Sequence, residues 1–156
     1  MRPGTRLGVD AGKARVGVSV CDRDGLLATP VVTLSRGDGT VAELRALAEE
    51  HGVIEVVLGL PLSLRGDDTP STADARMLAA ELADATSVPV RLVDERLSTV
   101  SAQRALHQSG RSAKSSRPVI DQVAAVIILQ NALDFERTAG RPPGTVVDPH
   151  KGRPSS

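Results

Sequence analysis

The run Leu7-Gly8-Val9-Asp10-Ala11-Gly12-Lys13-Ala14-Arg15-Val16-Gly17-Val18-Ser19-Val20-Cys21 has the pattern of a hairpin that opens a sheet. Arg6–Asp10 and Val16–Cys21 are short, β-branched and broken only by glycine, so they read as two strands joined by a tight turn around Gly12. Leu26–Leu34 reads as a third strand. Pro30 interrupts it and places it near an edge, where a missing N–H costs least. Three strands with short links predict an antiparallel meander.

Beyond the meander the periodicity changes. Val41, Leu44, Leu47 and Ala48 follow helical spacing, and Gly52 stops that helix. Val53–Leu58 is almost wholly apolar, as a parallel strand covered on both faces should be, and Gly59, Leu60 and Pro61 end it. Residues 62–69 form a polar loop. Ser71 with Asp74 resembles a capping box opening a helix to about Ala85. Val88–Val93 reads as the fifth and last strand. Ser98 or Thr99 caps a helix that ends at Gly110, residues 111–117 link, and Pro118 suits the first turn of a final helix to about Arg137. The order β-β-β-α-β-α-β-α-α predicts an α/β domain: a mixed sheet with helices on both faces. The domain covers residues 1–138, and the Pro- and Gly-rich stretch 139–156 reads as a disordered tail.

Composition removes several classes of function. Phe135 is the sole aromatic residue, so base-stacking platforms are excluded. Cys21 is the sole cysteine, which rules out an intrachain disulfide and fits a reducing cytoplasm. A strand beginning near Thr5 leaves no room for a signal peptide, and no apolar run approaches a membrane span. Formal net charge is zero, yet residues 91–117 carry 6 Lys/Arg against 2 Asp/Glu. That local excess reads either as a phosphate footprint or as a solvated helix face.

Three acids stand out. Asp10 sits where the first strand meets a glycine turn; its plainer reading is an Asx-turn residue. Asp94 and Glu95 follow the fifth strand at the sheet end, where α/β proteins bind ligands. They point to opposite faces, and the plainer reading is an ion pair with Arg96. Asp121 shares a helical face with Ala124, Ala125 and Ile128, where a carboxylate is costly unless paired or metal-bound. Its plainer reading is an acid favoured by the helix dipole. Clustered carboxylates need cations, and hard oxygen donors suit Mg²⁺ or Mn²⁺, two ions being enough to cut a phosphodiester. Zinc is disfavoured, since Cys21 is alone and His51, His107 and His150 lack ligand spacing. Arg104, His107 and Arg111 form one stripe that Lys114 and Arg117 extend toward Asp121, suiting phosphate contact. A P-loop is excluded because Gly8 and Gly12 are too close and Ala14 follows Lys13. No dinucleotide fingerprint follows any strand.

Four motifs in order, Leu7-Gly8-Val9-Asp10-Ala11-Gly12 with Arg15-Val16-Gly17-Val18, Leu58-Gly59-Leu60-Pro61-Leu62, Asp94-Glu95-Arg96-Leu97-Ser98-Thr99, and Asp121-Gln122-Val123-Ala124-Ala125 with Ile128-Leu129-Gln130, together resemble the YqgF/RuvX family. The resemblance spans residues 5–137. It implies an RNase H-like five-stranded mixed sheet, three antiparallel strands then two parallel, in a bacterial cytoplasmic nuclease. That nuclease would mature the 5′ end of pre-16S ribosomal RNA, resolve Holliday junctions, or both, as monomer or homodimer. It places the catalytic and metal-binding acids at Asp10, Glu95 and Asp121, choosing Glu95 over Asp94. Lys13, Arg15 and Arg96, beside the acids, join the stripe as nucleic-acid contacts. Three features depart from the family pattern: Cys21 where Ser is commoner, Asp67 and Asp68 in the loop after Pro61, and a less basic linker before the last helix. Two rivals remain. Asp10-x-Gly12 with Gly17 also resembles the phosphate loop of the actin and sugar-kinase superfamily, which needs a far longer chain. A non-catalytic nucleic-acid adaptor on the same fold would keep the basic stripe without needing all three acids.

Overall fold

A computed structural model describes residues 1–96 and 117–148, with the backbone alone at 117–121. The elements are β1 (Arg6–Ala11), β2 (Arg15–Cys21), β3 (Ala28–Ser35), α1 (Thr40–His51), β4 (Glu55–Leu60), α2 (Pro70–Ala85), β5 (Val90–Asp94), α3 (Arg117–Ala139) and β6 (Thr145–Val146). The helix predicted from Ser98 or Thr99 to Gly110 lies outside the described residues. The sheet order is β3-β2-β1-β4-β5-β6. β1, β2 and β3 pair antiparallel, β1, β4 and β5 pair parallel, and β6 returns antiparallel to β5. This is the RNase H-like mixed sheet with helices on both faces.

Three expectations need correction. The sheet has six strands, not five: β6 lies within the stretch predicted as a tail, and Val147 N–H also donates to Val90 O at 2.8 Å. β4 continues through Gly59 and Leu60, because both pair with β5. The cap of α2 is Thr69, whose hydroxyl accepts from Thr72 N–H while the Thr72 hydroxyl accepts from Thr69 N–H. Pro70 at the first helical position fixes that start two residues ahead of the predicted one. Asp74 pairs instead with Arg36 at 2.9 Å, and Arg36 also donates to Gly12 O at 2.9 Å. One guanidinium therefore ties α2 to the β1–β2 turn.

Period-two alternation divides the core. Leu7, Val9, Val56, Leu58, Val90 and Leu92 pack under α1 and α2. Val57 and Val93 face α3 through Ile128, Leu129, Ala132 and Leu133. Gly8 faces α3 as well. A side chain there would meet the Ser19 hydroxyl, Leu129 Cβ at 2.8 Å and Ala125 O at 3.0 Å, so only glycine lets the helix sit this close to β1. Ser19 then donates to Ala125 O at 2.8 Å from a buried position.

At the C-terminal end of α3 the same layer is ionic. Arg2 reaches Glu136 at 2.8 Å and Glu55 at 2.7 Å, Arg6 reaches Glu136 at 3.2 Å, and Arg91 reaches Glu55 at 2.8 Å. Arg6, Glu55 and Glu136 are buried. Hydrogen bonds from Arg2 hold the Glu136 carboxyl down at about 2 despite that burial. This lattice joins the N-terminus, β1, β4, β5 and α3 at the end opposite the acids. No described helix is long and apolar enough to cross a membrane.

Candidate metal centre

The face beneath α3 also carries the acids. Asp10 follows Gly8 by two residues, so alternation puts it on the α3 side of β1. The β1–β4 register pairs Val9 with Leu58. One residue further, Asp10 lies beside Gly59, about 4.8 Å away between neighbouring strands. Glu95 follows Val93 by two residues and so shares that face. Its N–H donates to Leu60 O at 3.0 Å, extending the β4–β5 ladder. Its carboxylate lies over Gly59: a Cβ built there would be 3.0 Å from Glu95 Oε2, 3.2 Å from its Cγ and 2.6 Å from Ile128 Cδ1. Glycine is thus the floor on which Glu95 rests, next to Asp10.

Asp94 takes the other face. It accepts from Arg96 N–H at 2.9 Å and from Arg96 Nε at 3.0 Å, and the Arg96 hydrogen bonds hold its carboxyl below the usual range. Glu95 is half-buried, and that burial, with the charge of Asp94, pushes its carboxyl above the usual value. The two neighbours therefore differ in kind. Asp94 is neutralised by an arginine, whereas Glu95 is an acid whose ionisation a cation would favour.

The backbone of α3 carries Asp121 toward this pair. The helix runs back along β1, with Glu136 beside Arg6, and Leu129 and Ala125 against Gly8. Asp121 lies one turn beyond Ala125, roughly 6 Å further along the axis. Gln122 donates to Thr33 Oγ1 at 3.0 Å. Thr33 is in register with Gly17, and Gly17 with Asp10. The residue next to Asp121 is therefore anchored on the row that holds Asp10. Among the described side chains no group of three or more His, Cys, Asp or Glu gathers; Asp121 contributes backbone only. Glu95 over its glycine floor, and Asp10 on the same face of β1, offer carboxylate oxygens, donors suited to a hard divalent cation.

The predicted phosphate contacts divide. Lys13 is exposed in the β1–β2 turn and Arg15 is half-buried at the start of β2. Arg96 is exposed, but its guanidinium serves Asp94. Arg117 opens α3, described by backbone alone, while Arg104, His107, Arg111 and Lys114 lie outside the described residues. Sequence reasoning missed Gly59 as a floor, Ser19 as a helix anchor and Arg36 as the brace of the Gly12 turn. Only Gly59 left a local trace, a glycine inside an otherwise apolar strand. The unusual Cys21 is buried and accepts Arg6 N–H at 3.2 Å.

Comparison with known proteins agrees with this architecture. A Thermus thermophilus RuvC structure, in complex with a Holliday junction substrate, superposes with a TM-score of 0.59 at 12% identity, covering 92% of this chain and 99% of that one; at that identity the likeness is one of fold. A protein of Clavibacter michiganensis subsp. michiganensis is 59% identical over 94% of this chain and 93% of its own length. One from Streptomyces coelicolor is 54% identical over 95% and 90%. Both carry the name "Putative pre-16S rRNA nuclease". The family model described as "RuvX: Holliday junction resolvase" matches residues 4–135. This chain belongs to the RuvX family.

Proposed function

We propose that this chain is a divalent-metal-dependent nuclease that hydrolyses phosphodiester bonds of structured RNA, maturing the 5′ end of the 16S rRNA precursor in the cytoplasm. The observation that carries the chemistry is the Glu95 carboxylate lying over Gly59, on the face to which strand alternation assigns Asp10 and beneath the helix that bears Asp121. The names of its relatives, at more than half identity over nearly the whole chain, support the substrate.

Asp10, Glu95 and Asp121 would hold one or two Mg²⁺ or Mn²⁺ ions. Such ions, when bound, activate water and stabilise a leaving oxygen. The protein's own part is to crowd carboxylates where only glycine lies beneath, and to hold phosphates with Lys13, Arg15 and the Arg104–Arg117 segment. Arg96 serves by fixing Asp94 away from the site. An adaptor that only bound nucleic acid would have no use for a half-buried glutamate over a glycine floor.

Junction DNA is the second reading, favoured by the family's description. A cleavage assay comparing a pre-16S 5′-leader RNA with a four-way DNA junction, in Mg²⁺, Mn²⁺ and EDTA, tests both. The proposal expects metal-restored cleavage of the RNA. Cleavage of the junction alone would move the substrate to DNA. Full activity in EDTA would end the metal mechanism.

A further inference from the structure

The loop between β4 and α2 carries the most exposed large apolar side chain among the described residues: Leu64, 93% exposed. A leucine at a loose loop tip would mean little, but this tip is braced. Ser63 N–H donates to Asp67 O at 2.9 Å, Asp67 N–H to Ser63 Oγ at 3.0 Å, and Gly66 N–H to Ser63 O at 2.8 Å. Gly66 closes the turn at φ +90°, a conformation that L residues rarely adopt. Asp68 pairs with Arg76 at 3.6 Å. The loop's shape is thus held by the Asp67 backbone and the Asp68 side chain.

The brace continues to the end of β5, next to Glu95 in sequence. Arg96 packs on Gly66, its Nη1 3.0 Å from where a Cβ would stand, and donates to Leu64 O at 3.4 Å. The same guanidinium grips Asp94, and the residue between them in sequence is Glu95. One arginine therefore sets both the loop tip and the strand end that carries the acid. Leu64 thus sits on the loop that leaves β4 at the same end of the sheet as Glu95, whose N–H bonds Leu60 O at 3.0 Å.

An apolar side chain held in water beside a phosphodiester-cutting site has one natural apolar partner there, the face of an unstacked base. Proteins that open base steps insert Leu, Ile, Met or Phe between them. Phe135 is the sole aromatic residue, and Arg141 lies over its ring at 5.4 Å, so an aliphatic wedge is the device this chain has available. Exposed Arg65 stands next to Leu64, where it can meet a flanking phosphate.

We infer that Leu64, with Arg65, is a wedge that enters the base step at a boundary between paired and unpaired RNA and so selects where the strand is presented to the acids. The inference rests on the nuclease reading, and its test reads binding rather than cleavage. An RNA hairpin with 2-aminopurine at the boundary step is bound to the full-length chain in Ca²⁺. The wild type should raise the fluorescence by unstacking the probe. Leu64→Ala should abolish the rise and weaken binding to the boundary RNA about tenfold relative to an unbroken duplex, the scale of losing most of one leucine's contact. Leu64→Met should keep both effects, and a thermal melt of each variant should match the wild type. Unchanged fluorescence and preference in Leu64→Ala would overturn the wedge. So would a change confined to self-association, read by sedimentation, which would make Leu64 a contact between copies. A wild type that unstacks the probe but cuts nothing fails the nuclease reading alone; one that cuts without unstacking fails the wedge alone.

Discussion

Replacing Gly59 with alanine separates the site from the core. The added methyl would stand 2.6 Å from Ile128 Cδ1, 3.0 Å from Glu95 Oε2 and 3.2 Å from Glu95 Cγ. Ile128 Cδ1 is the free end of a side chain and can rotate away, so the packing cost sits near the low end of the ~1–3 kcal/mol usual for overfilling a core. Restricting the unfolded chain returns about 0.5 kcal/mol. The net loss should be about 1 kcal/mol, a melting shift of roughly 3 °C for a chain of this size. Glu95 has less freedom, because its backbone N–H is fixed to Leu60 O. Its carboxylate must leave the floor, and a displacement approaching 1 Å at a reacting group costs on the order of 100-fold. Single-turnover cleavage and a thermal melt of Gly59→Ala test this together. Activity within twofold of wild type would refute the floor, and a loss beyond about 4 kcal/mol would make Gly59 a core spacer instead.

The other substitutions probe the surrounding frame. Gly8→Ala meets Leu129 Cβ and Ala125 O, atoms fixed to the helix that cannot rotate, so it should cost about 3 kcal/mol; urea unfolding that ranks it level with Gly59→Ala would contradict the close helix contact. Glu136 is held down at about 2 from an ordinary 4.5. Its stabilisation is therefore complete above pH 4.5 and is lost as pH falls toward 2. Glu136→Gln should cost on the order of 2 kcal/mol at pH 7 and flatten that acid limb, as followed by unfolding midpoints across pH; an unchanged limb would assign it to other carboxylates. Arg104→Ala should weaken RNA binding and lower its salt slope by about one without altering sequence preference, and an unchanged slope in titrations would reduce the stripe to a solvated face.

The meander, the buried parallel strand and the edge position of β3 were legible because each rests on a local signal: alternation, an apolar run, a proline. Failures came where several local signals competed or where pairing was distant. Ser71-x-x-Asp74 fits a capping pattern, but Pro70 already marked the helix start, and Asp74 was drawn to Arg36, just past the end of β3. β6 has two residues among prolines and glycines. It exists because Gly144, at φ +71°, fits against Leu92 O where any side chain would collide. The Arg6–Glu136 contact joins residues 130 apart and leaves no trace along the chain. In the candidate site, alternation separated Asp94 from Glu95 but did not say which face α3 would cover. The β4–β5 register and the glycine beneath Glu95 supply that answer.

If Asp10, Glu95 and Asp121 hold a cation for cleavage, Asp121→Asn takes away one of its ligands. The substitution preserves shape, removes one charge and leaves a poor ligand. Metal-dependent cleavage of the leader RNA should fall to background, binding should stay near wild type, and the metal-free melting temperature should hold or rise as crowding among the acids is relieved. A variant that melts lower yet still cuts would show Asp121 to be a helix-dipole acid and not a metal ligand.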